Sequence, residues 1–435
     1  MSQALAGAAG ATVGEDERVY GKVTRRLIPF LFLCYVAAYL DRVNVGFAKL
    51  QMLSDLRFSE TVYGLGAGIF FIGYFIFEVP SNLVLHKVGA RVWIARVMLT
   101  WAVISAAMAF VTTPFWFYLL RFLLGAAEAG LFPGVILYLT YWYPAERRGR
   151  IIALFMTGIP ISGVIGGPLS GWIMQSLGGT AGWAGWQWLF LIEAVPSLVM
   201  GVAVLLYLDD GIERARWLTA AEKELLARNV AEDQRHVESH RLSEGFTNPR
   251  VWLLCAIYFF FIMGLYGIGF WLPTLIKGAG VGSPLVIGLL TALPYAAGAV
   301  AMVWTSRLSD ASRERRWHLA IPALLGAVGW LVTVGAGSGN TVLAMAALTL
   351  ATAGVLSTLS QFWCLPTALL AGAAAATGIA VINSVGNLAG FVSPYLIGWI
   401  VDRTHSTDLG VYTLAACIVI GGLMALAMPK RLVNR

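Results

Sequence analysis

The first long apolar run, Leu27 to Ala48, reads LIPFLFLCYVAAYLDRVNVGFA and holds two adjacent charges, Asp41 and Arg42. Its 22 residues, at about 1.5 Å each, extend roughly 33 Å, enough to cross a hydrocarbon core of about 30 Å. Asp41 lies 14 residues beyond Leu27, about 21 Å along such a helix and too deep to snorkel back to the starting face. A mid-bilayer charge costs at least about 2.5 to 3.5 kcal/mol, so such residues face a polar cavity and serve a pathway, or else form an ion pair with another helix.

The rest of the chain repeats this pattern without the charge. Of 435 residues, 58% are hydrophobic and 12% charged, against about a quarter charged in soluble domains. A soluble enzyme is excluded, and the net charge of +7 carries less information than where the charges fall. Apolar runs bounded by Gly, Pro and charge clusters predict an all-α membrane protein of twelve transmembrane helices. The predicted spans are 27–48, 61–85, 91–111, 114–143, 150–175, 186–208, 250–276, 284–308, 317–336, 341–371, 375–401 and 410–428. They fall into two six-helix bundles, 27–208 and 250–428, flanked by tails 1–26 and 429–435. The linker 209–249 between them is mixed in charge, and Leu218, Leu225 and Leu226 recur there at helical spacing. It reads as short amphipathic helices at the membrane surface.

An even number of spans puts both termini on one side, and Lys and Arg choose that side. Segments on the termini side carry 23 of the 30 basic residues, the opposite side four, and three lie within spans. Both termini are therefore expected to be cytoplasmic. Met1 to Gly14 lacks the order of a signal peptide, so the first span serves as its own signal. The four cysteines lie far apart within apolar runs and fit neither a zinc site nor an obvious disulfide.

The two bundles look like repeats at an offset of about 225 residues. Pro168, Gly171, Trp172 and Ile173 of the fifth span correspond to Pro394, Gly398, Trp399 and Ile400 of the eleventh. Paired repeats of this kind place a site at their interface near the midplane, reached alternately from each side. Gly163, Gly167 and Gly171 recur every fourth residue, a pattern for close helix contact rather than ligand binding.

Helical geometry sorts the polar residues of the spans. Tyr35, Tyr39 and Arg42 share a face of the first span, and Asp41 points about 100° away from Arg42. Arg121 and Glu128, seven residues apart, share a face of the fourth span at about 10 Å separation. The second bundle offers Ser360, Gln361, Trp363, Asn383, Ser384 and Asn387 but no charge inside its spans. Charge and proton handling are thus expected in the first bundle, with neutral recognition in the second. All five histidines lie in loops or at helix ends, which leaves carboxylates as the proton carriers. Glu78 reads equally as an ion-pair partner or a cavity residue, Glu193 as structural, and Trp363 has plain helix packing as its alternative.

Five segments in order carry a resemblance: YLDRVNVGFA from Tyr39, RFLLGAAEAGLFPG from Arg121, YPAERRGR from Tyr143, ISGVIGGPLSGWI from Ile161 and INSVGNLAGFVSPYLIGW from Ile382. With them the chain resembles the major facilitator superfamily and, within it, the anion:cation symporters that include bacterial tartrate, phthalate, hydroxyphenylacetate and sugar-acid permeases. His86 stands where the superfamily's loop after the second helix usually has an acid, and Ala311 follows Asp310 where Arg is usual. The resemblance implies proton-coupled uptake of a small organic anion by alternating access in an inner membrane. It implies Asp41 and Glu128 as the protonated pair, Arg121 as the coupling residue and Arg42 as the substrate-carboxylate ligand. Tyr39, Tyr74, Ser360, Trp363 and Asn383 match the family's cavity, with Tyr35, Glu78 and Asn387 as further candidates. A monomer is expected to suffice, with the proton as coupling ion and with no metal, other cofactor or nucleic acid. The rivals are an exporter or sodium-coupled carrier on the same fold, and a membrane sensor that does not transport.

Overall fold

The computed structural model describes residues 2–235, 248–369 and 372–433. The middle of the predicted linker and the last two residues of the C-terminal tail lie outside the described residues. Among those described, twelve helices are long and apolar enough to cross a membrane. They are α1 (Glu15–Leu56), α2 (Glu60–Leu85), α3 (Ala90–Phe110), α4 (Pro114–Thr140), α5 (Leu154–Ser176) and α6 (Gly185–Tyr207) in the first half. In the second half are α7 (Pro249–Gly278), α8 (Pro284–Ser312), α9 (Arg316–Ala336), α10 (Thr341–Pro366), α11 (Gly378–Thr404) and α12 (Asp408–Ala427).

Local sequence explains the starts of five of the twelve spans. Ser59, Thr113, Asn248, Ser283 and Asn340 cap α2, α4, α7, α8 and α10 with side-chain oxygens, and Pro follows the cap directly in α4, α7 and α8. The first span departs most from expectation, since helix runs unbroken from Ser2 to Val43. The helix of the first span thus extends back through the segment expected as a tail. Val19, Tyr20 and Val23 are buried, Tyr20 stacks on Tyr143, and Lys22 meets Glu222 at 2.8 Å. Glu222 belongs to the linker helix Ala220–Arg235, so the beginning of α1 and the linker pack as one layer at the termini end.

Several spans are interrupted partway: α1 at Asn44, α4 after Glu128, α5 at Thr157, α10 at Trp363 and α11 at Leu388. Three of these breaks adjoin predicted site residues, a feature of helices that line a midplane cavity.

The halves are related by the expected pseudo-symmetry: α5 packs on α8, and α11 packs on α2. Small residues make both seams. A Cβ on Gly167 would lie 2.7 Å from Gly288 O, and one on Gly288 would overlap Gly167 O. In the matching seam Gly64 faces Pro394 O, and Gly398 faces Glu60 O. Trp172 and Trp399, the matching aromatics, are both exposed on the outer surface.

These seams lie toward the side opposite the termini, where further contacts join the halves. Tyr63 Oη donates to Phe270 O at 2.8 Å, and Ser283 Oγ donates to Gln175 Oε1 at 2.6 Å. Asp402 of α11 accepts from the backbone N–H groups of Glu60 and Thr61 at 3.0 and 2.8 Å. Lys49 pairs with Glu60 at 2.7 Å and sits 3.4 Å above the Trp271 ring. The interface is closed on that side.

Candidate functional site in the central cavity

Behind the closed seam, toward the termini, lies a cavity between the halves of about 580 Å³ of non-atom space. The first half lines it with Tyr35, Tyr39, Arg42 and Tyr74, the second with Tyr258, Tyr266, Asn383 and Asn387, over a floor that includes Phe71, Phe132 and Ile262. Arg42 is the cation on its wall.

Arg42 is held by both halves. Its Nε donates to Glu128 Oε1 at 3.0 Å, and its terminal Nη2 pairs with the same oxygen. The other terminal nitrogen donates to Tyr266 Oη at 3.2 Å. The guanidinium also lies over the rings of Tyr39, Phe70 and Tyr74 at 5.6 to 5.9 Å, within cation–π range. Glu128 is 1% exposed, and its Oε2 has no hydrogen-bond partner. Arg42 thus stands on the cavity wall with its carboxylate partner Glu128 buried next to it.

Arg121 lies below this pair and does not touch Glu128. It is fully buried and donates to the carbonyls of Gly66 and Ala67, both at 3.2 Å, while its Nη1 has no partner. Glycine brings α2 and α4 this close: a Cβ on Gly66 would strike the Phe117 ring, and one on Gly125 would strike Phe70 O. The arginine is therefore fixed on backbone dipoles rather than on a carboxylate.

Asp41 turns away from the cavity, as its angular offset from Arg42 predicts. It is fully buried and accepts from Ser105 of α3 at 2.8 Å and Ser197 of α6 at 2.5 Å. Each oxygen has its own hydroxyl donor, and no cation pairs with it.

Glu78 joins the halves on the termini side of the cavity. It accepts from Ser384 at 2.9 Å and from Asn383 at 3.4 Å. It neither lines the cavity nor pairs with a cation among the described residues, but contacts the cavity residue Asn383 across the interface.

Two expected cavity residues are elsewhere. Ser360 hydrogen-bonds Ser306 at 3.2 Å and the carbonyl of Ser357 at 3.0 Å, which fixes it in the α8–α10 contact. Trp363 lies edge-on to Tyr258, with ring centroids 5.1 Å apart, so it buttresses a cavity residue from behind. Neither side chain lines the cavity. Conversely, Tyr258 and Tyr266 escaped the sequence reading. They lie eight residues apart on α7, a spacing that puts both hydroxyls on one face of an otherwise apolar run. Among the described residues no group of three or more His, Cys, Asp or Glu could hold a metal ion.

Comparison with known proteins agrees with this architecture. A protein of Pseudomonas putida named as a metabolite transport protein, NicT, is 49% identical over 419 residues, covering 96% of each chain. One from Agrobacterium vitis named as a tartrate transporter is 48% identical, over 95% of this chain and 92% of its own. A quinolone resistance transporter of Acinetobacter baumannii is 40% identical over 96% of each. The xylose transporter XylE of Escherichia coli, solved in a partially occluded inward-open conformation, superimposes with a TM-score of 0.72 over 93% of this chain and 99% of its own at 14% identity. That likeness is one of fold. The family model of the Major Facilitator Superfamily matches residues 31–394, and the chain is a multi-pass membrane transporter belonging to that superfamily.

Proposed function

We propose that the protein is a proton-coupled symporter that takes up a small organic anion, a mono- or dicarboxylate, across an inner membrane by alternating access. The observation that carries this reading is the pairing of Arg42, on the cavity wall, with the buried Glu128. A guanidinium binds a carboxylate bidentately, so a substrate carboxylate competes with Glu128 for Arg42. An ionised Glu128 left without its partner in a buried site is costly. A protonated Glu128 is not, so release of Arg42 to the substrate and protonation of Glu128 favour one another. Asp41, held by neutral donors alone, is the second proton carrier, and Arg121 supplies a fixed positive charge beneath the cavity.

The relatives named as tartrate transporters support the substrate class. The bias of Lys and Arg to one side supports cytoplasmic termini, and a relative from Escherichia coli is named an inner membrane transport protein. The cavity and both its walls come from one chain, so a monomer suffices. With cytoplasmic termini the closed seam faces outward. Moving more protons than substrate charges would let the membrane potential assist uptake, at about 2.3 kcal/mol per charge per 100 mV.

Right-side-out vesicles with an imposed pH gradient test the reading, with L-tartrate as the probe. Inward accumulation is expected, abolished by a protonophore and by either Asp41→Asn or Glu128→Gln. If both variants accumulate as the parent does, the proton carriers are misassigned. Efflux is the second reading, favoured by the quinolone resistance relative; it predicts accumulation in everted vesicles only.

A further inference from the structure

A second, smaller cavity lies between the halves on the closed side, and the only carboxyl among its lining residues is Glu193. Glu193 is 1% exposed. Ser170 of α5 donates to its Oε1 at 2.6 Å, whereas Oε2 has no hydrogen-bond partner. Asn44, on the wall of the same cavity, brings its side-chain amide within reach of this carboxyl. A carboxyl and an amide thus border one pocket, whose free space is sufficient for an ordered water.

The spacing of residues ties this pocket to Asp41. Asp41 and Asn44 are three apart on α1, and Glu193 and Ser197 four apart on α6, so each pair shares a helix face. Ser197 meets Asp41, which places Asn44 and Glu193 on the next rung, about one helical turn away toward the closed side. Among the described residues neither Glu193 nor Asp41 pairs with a cation, and their recorded donors are serine hydroxyls. The other elements around the pocket bring one further titratable group, Tyr295 of α8. An isolated ionised carboxylate is expensive in such surroundings, so a purely structural role for Glu193 would be served equally by glutamine. Tyr295 and Thr291 border the pocket from the second half, so rocking of the halves would open it on the side now closed.

We propose that Glu193 is a third proton-carrying residue. It accepts a proton from water on the side opposite the termini when that side opens, and passes it through water in the Asn44-lined pocket to Asp41. Glu193 returns to its ionised form as Asp41 becomes neutral, and is reloaded from outside. This rests on the proton-coupled reading above, with Glu193 acting upstream of Asp41.

Glu193→Gln keeps an acceptor for Ser170 and removes only the proton site. In liposomes holding the full chain, L-tartrate accumulation driven by a pH gradient is expected to fall about ten-fold or more, a normal size for a lost proton-transfer group. Tartrate counterflow, which requires no net proton movement, should stay within about two-fold of the parent. Unchanged accumulation, or loss of counterflow in equal measure, would overturn the proposal. Infrared difference spectra of the protein alone, between acid and alkaline pH, give a reading that needs no transport. A neutral-carboxyl band should vanish on alkalinisation in the parent and be missing in Glu193→Gln; a band that never moves overturns the proposal. Absence of pH-driven accumulation in the parent would instead defeat the symport reading and leave the infrared result to judge Glu193. Should Glu193→Gln fail to fold, Ser170→Ala keeps the carboxyl and is expected to move the pH profile of transport; an unmoved profile overturns the proposal.

Discussion

At the scale of single residues, the two neighbours Asp41 and Arg42 face opposite ways and have separate surroundings. Arg42 meets a carboxylate, a tyrosine hydroxyl and three aromatic rings, whereas Asp41 meets only serine hydroxyls. A planar fork can keep Nε and a terminal nitrogen on one carboxylate while the third nitrogen reaches Tyr266. A lysine can make one of these contacts at a time. Arg42→Lys therefore loses charge-assisted hydrogen bonds of about 1.5 to 3 kcal/mol while keeping the charge. The expected result is roughly ten- to hundred-fold weaker tartrate binding, read by calorimetry on purified protein. Its melting temperature should stay near the parent's, and parental affinity would show that Arg42 does not hold the ligand. The separation of the pair was legible from helical geometry alone. The partners were not, because they come from α3, α4, α6 and α7, which no local pattern places beside α1.

At the scale of elements, boundaries were readable where caps, prolines and charge clusters punctuate the apolar runs, and less so where a helix continues past its apolar stretch. The run ending upstream at Leu27 suggested a tail, yet Val19, Tyr20 and Val23 continue the helical spacing and are buried. Their partner Tyr143 lies 123 residues away from Tyr20. The break at Trp363 was likewise invisible, as was the contact with Ser306 of α8 that holds Ser360 away from the cavity. The glycine repeat of α5 was legible, but its partner Gly288 was not. That contact makes a sharp prediction, because Gly288→Val places methyl groups where Gly167 O now sits. Backbone cannot yield as a flexible side chain does, so the α5–α8 seam should fail to close. The variant is expected to fold and bind tartrate, yet show no counterflow, since the closed state is required in every cycle. Parental counterflow would mean that the halves turn over without this seam.

At the scale of the whole molecule, two pseudo-symmetric halves meet through seams of small residues, and the balance between open and closed is set by the few polar contacts that cross them. Asp402 is the most directional of these. It is contributed by α11, and it accepts from the first two N–H groups of α2, in the other half. Those N–H groups have no partner within their own helix, and the positive end of the α2 dipole adds to the attraction for a carboxylate. When the halves part on this side, water replaces the carboxylate, so the contact stabilises only the closed arrangement. Loss of a capping side chain costs about 1 kcal/mol, close to five-fold in the ratio of two states. Asp402→Ala should therefore shift the population by about that factor toward the arrangement open on the side opposite the termini. Spin labels at the outer ends of α2 and α11 would read it as growth of the longer of two distances. Lys49 of the first half still lies over the Trp271 ring of the second in the variant, so the closed state should remain populated. An unchanged distance distribution would show that backbone packing at Gly64 and Gly398, rather than the capped helix end, sets the position of the halves.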